Sequence, residues 1–150
     1  MAKSEKQKLK LLYIIQCLME KTDEEHAVTT QEIIDYLALQ GITAERKSIY
    51  TDIDLLIDFG MDIIKKPGRS GGYTLASRQF ELAELKLLVD AVQSSKFITT
   101  KKSRELIGKL ETLCSKYEAT QLHRQVVVTN RNKAINENIY YNVDIIYNAI

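Results

Sequence analysis

Two glycines constrain the fold more than any other residues. Gly41 and Gly60 bracket the segment "ITAERKSIYTDIDLLIDF", and apolar residues recur at helical spacing on both sides of Gly41. Before the glycine, Ile33, Ile34 and Leu37 share one face of a helix opened by "TTQE". Thr29 and Glu32 have the spacing of a capping box there, the hydroxyl taking the third amide and the carboxylate reaching back. After the glycine, Ile49, Ile53, Leu56 and Ile57 gather on one side, with Thr43 the expected N-cap and Gly60 the stop. Two amphipathic helices separated by a short glycine-containing break predict a helix-turn-helix.

The flanks extend the pattern. Residues 4–21 predict an earlier helix with two apolar stripes: Leu9, Leu12, Ile15 and Met19 on one, Leu11, Ile14 and Leu18 on the other. A helix apolar on two sides is expected to have two partners. After Gly60, "IIKKPGRSGGYTL" sets the chain's only proline and three of its six glycines between short β-prone runs. Taken alone, that loop suits a nucleotide phosphate cradle, a grip on nucleic-acid phosphates, or a plain turn with solvated charges. Its neighbours weigh against the first. "GRSGG" lacks the Lys-Ser/Thr ending of a P-loop, and a strand follows it where a P-loop needs a helix. The order helix, helix, helix, strand, glycine turn, strand is that of a winged helix-turn-helix.

Beyond residue 78, "FELAELKLLVDAVQSSKFI" and "TTKKSRELIGKLETLCSKY" both carry helical apolar stripes, the second capped by Thr99 or Thr100. They predict an antiparallel hairpin too apolar to stand alone, which must pack on the winged helix, on another copy, or on both. A β-prone run, Val126 to Val128, comes next, and then a helix with Ile139, Val143, Ile146 and Ile150 in register. That helix reaches the last residue without a cap, so the expectation is a chain cut from a longer protein. The predicted fold is mainly α with a small β wing: a winged helix-turn-helix over residues 1–78, a helical hairpin over 79–118 acting as linker and dimerisation region, and a short strand and C-terminal helix over 119–150.

Charge bounds the function. The chain has 21 Lys and Arg against 20 Asp and Glu, a net charge of +1. Residues 1–78 hold 11 Lys/Arg and 12 Asp/Glu, for −1, so any nucleic-acid contact rests on local clusters. No apolar run approaches the ~20 residues that span a bilayer, and no cleavable leader is evident, so we expect a cytoplasmic protein with no membrane partner. Cys17 and Cys114 lie far apart and are expected reduced and at least partly buried. His26 and His123 are isolated from each other and from cysteine. Metal-ligand spacing and nucleophile motifs are absent, so no metal, cofactor or enzymatic activity is expected.

Several motifs carry a family resemblance. "KSIYTDIDLL" is similar to the Arg/Lys-Thr/Ser-Ile-x-x-Asp-Ile-x-x-Leu pattern of WYL-domain transcriptional regulators, with Lys47, Ser48, Ile49, Asp52, Ile53 and, more loosely, Leu56 in the matching places. "GGYTL" resembles the element that closes their wing, and "RQFELAELKLLVDAVQSSKFIT" the linker that follows. Thr51 stands where the family often has Arg, and no tryptophan is present for the Trp-Tyr-Leu signature. The resemblance implies a sequence-specific binder of double-stranded DNA within a transcriptional regulator, with residues 119–150 leading to a missing sensor domain and any effector ligand bound outside this chain.

The helical plot and the resemblance together nominate a DNA face. On the third helix, Ala44, Lys47, Ser48, Thr51 and Leu55 lie opposite the apolar side, and the short side chains among them let the backbone approach a groove. Ser48 and Thr51 can donate to a phosphate or a base, and Lys47 suits a phosphate. Thr30 and Gln31 sit beside free amides at a helix start. Lys65, Lys66, Arg69 and Ser70 form the wing tip, where Gly68, Gly71 and Gly72 allow positive φ and close backbone approach. Asp52 is expected to pair with Arg46 or Lys47, or to cap an amide. Tyr50 and Tyr73 are expected to pack at the core's edge. A homodimer presenting two third helices to a near-palindromic site would offset the scarcity of cations, with the first helix and the hairpin supplying its surface. The alternative is a winged-helix module that binds protein and not DNA.

Overall fold

The computed structural model describes residues 6–68, 71–126, 133 and 138–149. The chain divides into two compact units, Met1–Gln79 and Phe80–Ile150. Both are mainly helical, and the small sheet lies in the first, so the fold class is the one the sequence predicts.

The first unit consists of α1 (Lys10–Lys21), α2 (Thr30–Leu39), α3 (Arg46–Asp58), β1 (Ile63–Lys66) and β2 (Gly72–Leu75). Its core takes Ile14, Cys17 and Leu18 from α1, Ile33, Tyr36 and Leu37 from α2, and Ile49, Ile53 and Leu56 from α3. The strands close it with Ile63, Tyr73 and Leu75. Of the two apolar stripes, the one with Ile14 and Leu18 is buried; on the other, Ile15 packs against the core while Leu9, Leu12 and Met19 remain exposed.

Local chemistry explains where the elements stop and start. Thr29 and Glu32 form the capping box at α2, the Thr29 hydroxyl accepting from the Glu32 amide and Glu32 Oε2 accepting from the Thr29 amide at 2.7 Å. Gly41, at φ +75°, ends α2: its N–H reaches Ala38 O, and that of Ile42 reaches Leu37 O, a Schellman pair over buried apolar side chains. Gly60 repeats the arrangement behind α3. Thr43 is not the cap of α3. The helix begins two residues later than its register suggests, with Glu45 at the N-cap position and no side chain capping it. The Thr43 carbonyl instead accepts from Gln7.

β1 and β2 pair antiparallel in the register Ile63↔Leu75 to Lys66↔Gly72. On its other side β2 meets Val28, with bonds between Tyr73 and Val28 in both directions. The return strand is also tied to α1. The buried Thr22 hydroxyl accepts from the Leu75 amide and donates to Leu18 O, while Arg78 donates to the Met19 and Thr22 carbonyls at the end of α1.

The second unit contains α4 (Leu82–Ser94), α5 (Thr100–Glu111), α6 (Lys116–Val126) and α7 (Ile139–Asn148). Thr99 caps α5, accepting from the Lys102 amide. The predicted second hairpin helix does not run on to Tyr117. It stops at Glu111, and Ser115 with Glu118 forms a reciprocal cap that opens α6. Val126 is the last residue of that helix and not the start of a strand; Val127 and Val128 lie outside the described residues. α6 supplies cover that the hairpin was expected to find elsewhere. Leu122 is fully buried against a core of Leu85, Val89, Ile107 and Cys114. Both cysteines are buried and unbridged. Lys133 donates to the Val92 and Ser95 carbonyls at the end of α4. No helix among the described residues is long and apolar enough to cross a membrane.

Candidate nucleic-acid interface

The apolar side of α3 is buried through Ile49, Ile53 and Leu56, which turns Lys47, Tyr50, Thr51 and Asp54 outward. Lys47 is exposed, and among the described residues no hydrogen bond or ion pair holds its ammonium. Thr51 is exposed too, its hydroxyl donating back to the Lys47 carbonyl at 3.2 Å. Ser48 is half-buried and Ala44 packs against the core, so Ala44 offers backbone approach more than side-chain contact. Tyr50 is 45% exposed and belongs to the outer face, unlike Tyr73, which is buried as expected.

Asp52 departs from the expected pairing. It is buried and faces α1, where the Lys10 ammonium lies 2.7 Å from Oδ2. Neither Arg46 nor Lys47 reaches it, because both project from the opposite side of the first turn. Asp52 Oδ2 accepts no well-aligned hydrogen bond, so its compensation is the Lys10 charge itself. The same ammonium donates to Ser48 Oγ at 2.5 Å. In sequence, Lys10 is marked only by lying on the apolar side of the first helix, between the angular positions of Cys17 and Ile14.

The start of α2 is brought to the start of α3. Gln31 Oε1 accepts from the Arg46 guanidinium at 3.3 Å, and its amide donates to Asp35. Thr30 beside it is half-buried. The wing lies along the other flank of α3. Lys65 and Lys66 are exposed on β1, Lys65 paired with Asp54 and Lys66 donating to the Glu24 carbonyl at 3.3 Å. Arg69 and Ser70 lie outside the described residues. Of the wing glycines, Gly68 has positive φ (+108°), while Gly71 and Gly72 are held by close approach alone. A Cβ at Gly72 would sit 2.3 Å from the Val28 carbonyl oxygen.

One surface therefore carries Lys47, Ser48 and Thr51 in the middle, the α2 start on one flank and the wing lysines on the other. Its chemistry is short hydrogen-bonding side chains plus a few cations, offset by Asp54 and Asp58 further along α3. No group of three or more His, Cys, Asp or Glu residues suited to a metal ion occurs among the described residues.

Residues 12–68 match the family model for the FokI D3 domain, a DNA-binding winged-helix-like domain. The match takes in α1 to β1 and falls short of half the chain. It is to a different family from the WYL regulators that residues 47–56 and 71–75 resemble. The FokI D3 match suggests a DNA-binding module at this end of the chain and gives no support to the WYL family specifically. No curated protein and no solved structure matches the chain.

Proposed function

We propose that the first unit binds double-stranded DNA in a sequence-specific manner, as the DNA-binding module of a transcriptional regulator. In this reading α3 enters the major groove with Lys47, Ser48 and Thr51 leading, and Thr30 and Gln31 rest on the backbone at one flank. Lys65, Lys66, Arg69 and Ser70 of the wing meet the backbone at the other. The observation that carries it is the exposed Lys47, which no carboxylate among the described residues pairs, among short polar side chains on α3, within the span matched by a DNA-binding family. We further propose a homodimer, since doubling a module with so few cations gives it a workable backbone grip. The exposed Leu9, Leu12 and Met19 of α1 offer one surface for that.

The test is selection of bound duplexes from a random pool, followed by fluorescence anisotropy across a salt series. A preferred sequence, lost on Lys47→Ala with Arg69→Ala while the fold is kept, supports the reading. The expected salt slope is about −0.9 per phosphate contacted, over a handful of contacts. No retention of any duplex at low salt overturns it. Light scattering over a dilution series tests the dimer, and a monomer throughout removes that part.

A second reading has its own observation. Leu55 is 51% and Phe59 82% exposed on the same helix, next to Asp54 and Asp58. That C-terminal half suits a protein partner better than a phosphate backbone. Phe59→Ser separates the two: it leaves DNA retention intact under the first reading and abolishes partner capture under the second.

A further inference from the structure

We infer that Lys10 is a positioning residue for recognition: by donating to Ser48 Oγ while paired with Asp52, it commits the Ser48 hydroxyl to act as a donor toward the duplex. The inference rests on the proposed DNA-binding reading and deepens it.

The argument is one of hydrogen-bond polarity. A serine hydroxyl has one proton and two acceptor sites, and an ammonium only donates. Lys10 lies 2.5 Å from Ser48 Oγ, so the oxygen is the acceptor in that contact and its proton must point elsewhere. A helical serine usually spends that proton on the carbonyl four residues back. Thr51 does so, donating to Lys47 O. Ser48 does not: among the described residues its proton has no acceptor.

Asp52 keeps the arrangement in place. Lys10 and Asp52 are each largely buried, with side chains 14% and 10% exposed, so the ammonium is drawn inward and is not itself free to meet a phosphate. A hydroxyl polarised by a cation is also a stronger donor. The outer face of α3 thus presents a donor at Ser48, one turn before an acceptor oxygen at Thr51. The complement to Ser48 is a hydrogen-bond acceptor on the duplex, either a phosphate oxygen or a base-edge N7, O6 or O4. With Lys10 on one of its two acceptor sites, the Ser48 hydroxyl favours such an acceptor over an exocyclic amino group at that point.

The test is a double-mutant cycle on affinity for the duplex recovered by selection. Ser48→Ala removes the donor and is expected to weaken binding on the order of tenfold. Lys10→Met with Asp52→Leu removes the ion pair as a unit, leaving no buried charge. This exchange weakens binding in the wild-type background and costs nothing further in the Ser48→Ala background. Lys10→Arg, which keeps charge and donor, restores affinity to within about twofold. If the double exchange melts early, Lys10→Met with Asp52→Asn serves the same cycle. Additive losses, or an ion-pair exchange without effect, overturn the proposal. Duplexes with single methylphosphonates, or with base analogues lacking N7, O6 or O4, then locate the acceptor, since Ser48→Ala is silent on the duplex that lacks it. An undiminished Ser48→Ala effect on all of them also overturns the proposal. If the wild-type protein retains no duplex, the DNA-binding reading falls and this inference with it, an outcome distinct from binding with additive losses.

Discussion

The Lys65 ammonium sits 2.5 Å from Asp54 Oδ1, joining the first wing strand to the outer face of the third helix. Both side chains are more than half exposed, and the hydrogen bond to Asp54 raises the Lys65 pKa above its ordinary value. The pair places wing and helix side by side, and it also leaves one wing cation already neutralised. A phosphate approaching Lys65 has to displace a carboxylate that occupies its place.

Asp54→Asn is therefore expected to strengthen DNA binding. It removes a like charge from the face and frees Lys65 for a phosphate, for a gain of about three- to tenfold at low salt. The gain shrinks as salt rises, because the pair and the contact replacing it are both solvent-exposed. Anisotropy titrations over a potassium chloride series measure both effects. An unchanged affinity means Lys65 lies away from the bound duplex.

Gly72→Ala probes the anchoring of the wing. The added methyl would meet the Val28 carbonyl oxygen at 2.3 Å, and neither strand has a flexible end there to yield. The two bonds between Val28 and Tyr73 have to part, at about 2–3 kcal/mol. Gly68→Ala meets no atom within 4 Å and pays only for its positive φ, so about 1 kcal/mol is expected. Urea unfolding of the two variants gives the comparison.

These costs also show what the sequence could and could not reveal. The capping box at Thr29, the stops at Gly41 and Gly60 and the apolar side of α3 are local, and each was readable from spacing alone. The Lys10–Asp52 pair joins residues 42 positions apart, and no local pattern chooses Lys10 over the nearer Arg46 and Lys47. Thr22 and Arg78, which tie the return strand to α1, are equally invisible to local patterns because their partners lie more than 50 positions away. In the second unit the cap Ser115-x-x-Glu118 was legible but lay inside a run whose apolar stripe passes through it. Periodicity followed the stripe where capping chemistry broke the helix.

Tyr36 makes the stability of the first unit depend on pH at the alkaline end. Burial pushes its pKa up to about 12, helped by the Glu20 charge and by the hydroxyl donating to Glu20 Oε2 at 3.3 Å. The folded value lies above the unfolded value of about 10, so folding favours the protonated phenol. Its contribution is fully present below about pH 10 and is lost as pH rises toward about 12. Melting temperatures of the wild type and Tyr36→Phe across that window should converge as pH rises. A difference that stays constant rules out the linkage. Absorbance near 295 nm should also show one tyrosine ionising after the exposed ones.

Leu122→Ala decides what covers the α4–α5 hairpin. Without α6 the hairpin would leave Leu85, Val89 and Ile107 facing water, and the chain would need another surface to hide them. Leu122 is fully buried among them, so truncation to alanine opens a cavity at about 2–5 kcal/mol. Ser115→Ala leaves the core intact and removes the hydroxyl that holds the Glu118 amide, for about 0.5–2 kcal/mol. Hydrogen exchange over peptides from residues 80–126 should rank the variants in that order, with amides of α4 and α5 losing protection along with those of α6. A hairpin covered by a second copy would behave otherwise. Leu122→Ala would then be nearly silent in α4 and α5, and their protection would fall with dilution instead.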